Sequence, residues 1–364
     1  MSNILMLAPL FSNGGITSWV KKYLKTFPTD EFHLIPVSSV LGDKDMAAKL
    51  LKRSVIGLRE LYVIKREMKR VFNKYPINIV HITTSGSLGT VRDFLVAKFC
   101  KKMNIKTIMH CHYGCISQSL EMSRGIRWIL LKTMKLYDQI WVLDQYTYKT
   151  LVGIDELKNK VYLTPNSIEV VPLSFIPKKE YRNIAFIGNV LTEKGIFELV
   201  EAIVNVNKDI YLHIVGPCSN RNLERLEKMS GILWDTKIIY HGLLSNDEAI
   251  RFMKQIDTLI LPTYYPQEAF PISILEAMSN GKLVISTPRA AIPDMLTALD
   301  GGCCGMLVEE RNVINLRNAI LYSLEHTEEM DDLCRKAYEK AWNAYRTDVV
   351  YNMYRERYRE LLKE

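Results

Sequence analysis

Short apolar, β-rich runs alternate with longer amphipathic runs along this chain, and the alternation is played through twice. The first round holds NILMLAPL (3–10), FHLIPVSS (32–39), INIVHITT (77–84), KTIMHCH (106–112), QIWVLD (139–144) and KVYLTPNS (160–167). The second holds NIAFIG (183–188), IYLHIVG (210–216), KIIYHG (237–242), TLILPT (258–263), KLVIST (282–287) and GMLV (305–308). Strand-length runs separated by helix-length runs build parallel sheets, because a parallel neighbour is reached only through a long crossover. The expected fold is α/β, with two doubly wound Rossmann-like domains facing a cleft and helices at the C-terminus. The two rounds share an architecture and no sequence repeat.

VVPLSFIPKKEYR (170–182) interrupts the pattern with two prolines and a charged cluster, which predicts a linker over 171–182. The expected domains are 1–170 and 183–345. A last helix over 346–364 is expected to pack back on the first domain. A chain of 364 residues has material for two cores. No run reaches the roughly 18 uncharged apolar residues of a membrane span. The N-terminus reads as a strand and not as a signal peptide. Seven cysteines, an odd number in mostly apolar surroundings, fit a reduced, cytoplasmic protein.

Charge divides the chain. Residues 1–170 carry 25 Lys+Arg and 13 Asp+Glu, a balance of +12; the remainder carries 23 and 27, a balance of −4. Ordinary surface variation is one reading. The other is that the first half meets something anionic. Basic residues concentrate in KRSVIGLRELYVIKREMKR (52–70) and SRGIRWILLKTMKLY (123–137). The second stretch interleaves Arg124, Arg127, Lys132 and Lys135 with Ile126, Trp128 and leucines. Such a helix either packs on its sheet with solvated lysines or rests on an anionic membrane at its inner face. Nucleic acid is not expected, since the stacking aromatics and glycine-rich loops of common RNA modules are missing.

Ligands of doubly wound sheets bind beyond the carboxyl ends of the strands. Three loops there stand out. SNGGITSW (12–19) places Gly14 and Gly15 before a helix, where backbone amides can approach a phosphate or sugar, or simply turn. It is not GxGxxG, and no acidic residue follows a second strand, so a nicotinamide site is not expected. GNVLTEKG (188–195) offers Lys194 either as a diphosphate cation or as a surface lysine. LPTYYPQEAFPISILEAMSNGKLVIST (261–287) places Glu268 before a helix starting near Phe270-Pro271 and Glu276 inside it. The two carboxylates are either cap and solvated face, or they flank a phosphate held by the helix-start amides.

In this set of loops the chain resembles the retaining glycosyltransferases of the two-Rossmann-domain type (GT-B), glycosyltransferase family 4, group 1. Glu268 and Glu276 match the family's E-x7-E motif. Further matches are NGGI (13–16), TPNSIE (164–169), GNVLTEKG, IVGPC (214–218) and HGLLSNDEAI (241–250). The resemblance implies a nucleotide-sugar donor, with a UDP-sugar as first choice, and a glycan or lipid-linked acceptor in cell-surface polysaccharide synthesis. It implies that Glu268 contacts the transferred sugar near the reacting carbon and that Glu276 holds the ribose. The helix start formed by Phe270, Pro271, Ile272 and Ser273, through the amides it leaves free, would hold the diphosphate together with Lys194. Gly15 would let its loop close, and backbone near Gly216 and Leu243–Leu244 would frame the base. Asn189 stands where the family has an arginine, and Arg289 or Arg221 is the candidate replacement. A sugar-nucleotide epimerase on the same architecture, or a non-catalytic sugar-nucleotide-binding relative, is the alternative.

No cofactor or metal is expected. DKD (Asp43, Asp45) has the spacing of a metal-binding motif, but it opens a helical stretch and suits N-capping better. MHCHYGC (109–115) packs zinc-type ligands closely. Alternation along a strand puts His110 and His112 on one face and Cys111 on the other, which does not suit one ion. In the resembled family a histidine at this strand end touches the donor sugar. His112 is the candidate and His110 the fallback.

Overall fold

The computed structural model describes residues 1–11, 15–40, 50–86, 89–175, 177–178 and 180–363. Ser12 to Gly14 of the glycine loop, and Asp43 and Asp45, lie outside the described residues. The chain divides into two compact units, Met1–Pro165 with Tyr351–Glu364, and Asn166–Val350.

Unit 1 is built on strands β1 (Ser2–Ala8), β2 (Phe32–Ser38), β3 (Ile77–Thr84), β4 (Lys106–Cys111), β5 (Gln139–Val142) and β6 (Val161–Leu163). Its helices are α1 (Gly15–Thr26), α2 (Leu50–Lys74), α3 (Gly89–Lys102), α4 (Ile116–Met122), α5 (Arg124–Met134) and α6 (Gln145–Val152). The six strands are all parallel, in the order β2-β1-β3-β4-β5-β6. Ile4 to Ala8 and all of β5 are buried, as strands covered by helices on both faces must be. Pro36 is accommodated because β2 is an edge strand. One core cluster lies under α2, α3 and α5, with Ile64, Met68, Val96, Cys100, Leu130 and Met134 against Leu5, Val80 and Met109.

Unit 2 repeats the plan. Its strands are β7 (Asn183–Ile187), β8 (Tyr211–Val215), β9 (Ile238–Gly242), β10 (Thr258–Leu261), β11 (Leu283–Ser286) and β12 (Met306–Leu307). They are parallel in the order β12-β11-β10-β7-β8-β9. The helices are α7 (Ile196–Val204), α8 (Asn220–Ser230), α9 (Asn246–Gln255), α10 (Ile272–Ser279), α11 (Ile292–Met295), α12 (Val313–Glu325) and α13 (Thr327–Lys340). Ser219 caps α8, and Ser245 closes a capping box with Glu248 on α9.

After α13 the chain makes one π turn over Ala341–Tyr345, extends at Arg346 and continues as α14 (Thr347–Lys363). From Val313 to Lys363 the chain is thus helical with breaks at His326 and Arg346. From Tyr351 onward α14 belongs to unit 1, where Tyr354 Oη donates to the Pro165 carbonyl at 2.8 Å.

The segment expected as a linker is part of unit 2. Tyr338 of α13 brackets it, donating to the Val171 carbonyl at 2.8 Å and accepting from the Leu173 amide at 3.1 Å. Asp331 takes the Lys178 amide and the Tyr181 hydroxyl at 2.9 and 2.6 Å. Prolines and charge look the same in a free linker and in a strap fixed to a helix; the partners on α13, 150 residues or more away in sequence, make the difference. The units divide instead after Pro165 and after Val350.

Candidate functional site

In unit 2 the carboxyl ends of β7, β8 and β9 are drawn together at glycines. The Gly216 amide donates to the Gly242 carbonyl at 2.8 Å, and Tyr240 Oη donates to the Gly216 carbonyl at 3.0 Å. Gly216 has φ +135°, and a Cβ there would lie 2.0 Å from the Gly188 carbonyl oxygen, so this approach excludes every other residue. Leu244, in the loop after β9, is half-buried, while Leu243 is largely exposed.

The turn after β7 is held in the same way. Gly195 has φ +76°, and a Cβ there would meet the Pro262 carbonyl oxygen at 2.1 Å. The Tyr264 amide donates to the Glu193 carbonyl at 2.8 Å, which straps this turn to the loop after β10. The strap brings Lys194 to Glu268: Nζ lies 2.5 Å from Oε2, with the side chains 16% and 8% exposed. Thr263 Oγ1 donates to the same Oε2 at 3.1 Å, and Lys194 also lies over the Tyr265 ring. Glu268 is therefore a largely buried carboxylate held by one cation and one hydroxyl. Gly195→Ala is expected to lower stability by about 2–3 kcal/mol, through the left-handed backbone and the contact with Pro262. Gly15→Ala, where a Cβ would meet nothing within 4 Å, is expected to leave stability unchanged within about 0.5 kcal/mol. Urea denaturation of both variants checks this pair.

Two residues beyond Glu268, Phe270 is buried edge-to-face against Tyr345. Its carbonyl accepts from Asn166 Nδ2 at 3.4 Å. Pro271 is the N-cap residue of α10, and no side chain caps this helix. Amides of the first turn are left without an intrahelical acceptor at any helix start, which makes this one suited to an anion. Ile272 and Ser273 are half-buried in the first turn, and Glu276 is half-buried one turn on.

Other sequence candidates take different places. Asn189 is exposed beyond the end of β7. Arg289 is engaged by Glu310 at 2.6 Å, so its guanidinium already has a carboxylate. Its loop is joined to that of Glu268 by an Ala291 amide donating to the Ala269 carbonyl at 3.1 Å. Ala290 in this loop sits at φ +47°, in backbone that favours glycine. Thr263 escaped sequence reasoning, since nothing local marks a strand-end threonine as the partner of a carboxylate five residues on.

In unit 1, Gly15 is the exposed first residue of α1. His112 follows the last residue of β4, and its amide donates to the Thr84 carbonyl at 2.9 Å. His110 and His112 share a face, with ring centroids 4.1 Å apart, and Trp19 lies 4.5 Å from the His112 ring. His110 is fully buried and approaches His81 (Nδ1 to Nε2, 3.2 Å); His81 in turn meets Tyr358 Oη of α14 at 2.6 Å, and Tyr358 meets Tyr23 Oη at 2.8 Å. Burial pushes His81 and His112 down to about 3 and holds His110 well below the ordinary histidine range. All three rings are neutral near pH 7. Cys111 points to the opposite face and joins the core under the helices. Among the described residues no group of three or more His, Cys, Asp or Glu side chains is placed to hold a metal ion. All seven cysteines are free thiols.

Residues 174–340 match the family model of the glycosyl transferases group 1. An uncharacterized glycosyltransferase of Methanocaldococcus jannaschii is 24% identical over 276 residues, 70% of this chain and 68% of the relative. The N,N'-diacetylbacillosaminyl-diphospho-undecaprenol alpha-1,3-N-acetylgalactosaminyltransferase of Campylobacter jejuni is 25% identical over 183 residues, 50% of this chain and 45% of the relative. Among solved structures, sucrose-phosphate synthase from Thermosynechococcus elongatus superposes with TM-score 0.77 at 15% identity over all of both chains. Anabaena HepE in complex with UDP and glucose does so with TM-score 0.72 at 13% identity, over 99% of this chain and all of the other. The fold, two parallel six-stranded sheets with C-terminal helices, is that of the GT-B glycosyltransferases. The family model and the named relatives support glycosyl transfer as the activity.

Proposed function

We propose that this chain is a retaining, metal-independent glycosyltransferase of family 4. It would move a sugar from a UDP-sugar to a hydroxyl of a glycan or lipid-linked acceptor in polysaccharide synthesis at the inner face of the membrane. The observation that carries the reading is the buried Lys194–Glu268 pair beside the uncapped start of α10. A cation and a row of helix amides would together serve a departing diphosphate there. UDP in the HepE complexes and the diphospho-undecaprenol acceptor in the Campylobacter relative's name support the choice of donor and acceptor.

Diphosphate oxygens would compete with Glu268 for the Lys194 ammonium. The carboxylate is then turned toward the sugar, where it stabilises positive charge at the reacting carbon. Glu276 would hold the ribose hydroxyls, Gly216 and Leu244 would frame the base, and His112 would offer a neutral imidazole to a sugar hydroxyl. Charge on the leaving group is met by Lys194 and the α10 amides, so the chemistry asks for no divalent ion. Transfer is expected to continue at full rate in EDTA. Lys194→Met is expected to weaken UDP binding about ten- to a hundredfold, the range of a lost hydrogen bond to a charged group. Calorimetric titration with UDP checks it, and unchanged affinity removes Lys194 from the site. Anomeric configuration of the product, read by NMR, decides retention. Interconversion of the donor sugar with no acceptor present would show an epimerase instead.

A further inference from the structure

The elbow between α4 and α5 gathers exposed apolar side chains into one short stretch. Residues 121–128 are exposed without interruption. They include Met122, Ile126 and Trp128, at 73%, 42% and 59% exposure. Ser123 is extended, and its side chain accepts from the Ile126 amide at 3.2 Å, so the elbow is a capped helix start that holds this stretch outward. Isolated exposed apolar residues are ordinary; three within seven positions, set among cations, mark an interaction surface.

The cations differ in their engagement. Lys135 is taken by Glu156 at 2.7 Å. Arg124, Arg127 and Lys132 form no ion pair among the described residues, and Lys132 lies 4.3 Å above the Trp128 ring. The surface continues onto α3, where Lys132 and Lys98 both approach the Phe94 ring. Beyond it, an apolar groove of about 200 Å3 runs between α2 and α3, lined by Leu61, Ile64, Met68, Leu95 and Phe99 with Lys65. Apolar side chains flanked by unpaired cations fit a layer with phosphate at its surface and hydrocarbon beneath. A stacked nucleobase fits less well, because Lys132 closes one face of Trp128.

We propose that the α4–α5 elbow docks this protein on an anionic lipid bilayer. Met122, Ile126 and Trp128 enter the interface, and Arg124, Arg127 and Lys132 meet the phosphate headgroups. The docking face is the first half of α5 with the end of α4, not the whole basic stretch 123–137, since Leu130, Thr133 and Met134 are buried and Lys135 is engaged. This deepens the reading of a lipid-linked acceptor, yet docking requires no donor and no transfer.

The test is sedimentation of the full chain with phosphatidylcholine vesicles containing about 30% phosphatidylglycerol, at about 0.1 M salt. The protein is expected to sediment with these vesicles and not with pure phosphatidylcholine. Arg124→Gln/Arg127→Gln/Lys132→Gln should lower the partition coefficient about a hundredfold, and Ile126→Ser/Trp128→Ser at least about tenfold. The charge variant alters only exposed side chains, so it decides the matter should the apolar variant fold poorly. UDP binding by the same variants should be unchanged; its loss in the wild type would count against the proposed function and leave docking standing. Equal partitioning of the charge variant, no preference for anionic vesicles, or displacement of the vesicles by single-stranded RNA would overturn the proposal.

Discussion

Glu268→Gln is expected to lower sugar transfer about a hundred- to a thousandfold while UDP still binds. The magnitude is that of removing one preorganised charge-stabilising group from a water-poor site. Glutamine keeps the shape and can still accept from Thr263, so the loop after β10 is retained. What disappears is the negative charge 2.5 Å from Lys194. If the carboxylate acts on charge that develops only in the transition state, kcat falls and KM for the donor stays near its wild-type value. Steady-state kinetics with the cognate donor, together with a thermal shift by UDP, separates the two. Full transfer activity in the variant would end the role assigned to Glu268. A rise in KM alone would reassign it to ground-state binding.

Unit 1 is expected to lose stability steeply below pH 6.5. His81 and His112 titrate near 3 in the folded chain, against an ordinary value of 6.5. Between those limits the unfolded chain takes protons that the folded chain refuses. The sign is therefore fixed: stability is level above about 6.5 and falls as the pH falls toward 3. At pH 5 each ring contributes about 1.5 × 1.4, or about 2 kcal/mol, and the two together about 4 kcal/mol. His110, held low by the same burial and by its histidine neighbours, acts in the same direction. A loss of this size should lower the melting point of unit 1 by about 10 °C between pH 7.5 and pH 5. Differential scanning calorimetry across that range measures it. His112→Asn, which removes one ring and its titration, should flatten the acid limb. A melting point that stays level from pH 7.5 to 5 would show that the cluster admits protons or water.

Some of the candidate site is legible in the sequence. The resemblance marks Glu268 and Glu276, whose spacing straddles a helix start, and the run ISILEAMS then forms α10. It also marks His112, and strand alternation sets that side chain on the face opposite Cys111. Other partners are separated by chain length that no periodicity spans. Lys194 and Glu268 are 74 positions apart, and His81 and Tyr358 are 277 apart. Arg289 shows the reverse case: a free cation in the sequence is a bound one in the fold, because the loops after β11 and β12 bring Glu310 to it. The strap 171–182 is the same lesson for domain limits. Its prolines mark the end of a regular element, but only α13 decides which unit holds it.

The sequence by itself determined the twelve strand runs and the parallel, α/β character of both units, and it pointed to the loops proposed to form the site. Period-two runs, helix-length spacers and glycines at strand ends are local signals, and local sterics and burial act on them directly. The tertiary structure alone decided which charges are paired. It also decided that three histidines lie buried and neutral, with His81 against Tyr358, and which half of α5 faces outward. Those outcomes depend on which elements come to lie against one another, and the energy of a charge or an apolar side chain is set by its surroundings and not by its neighbours in sequence.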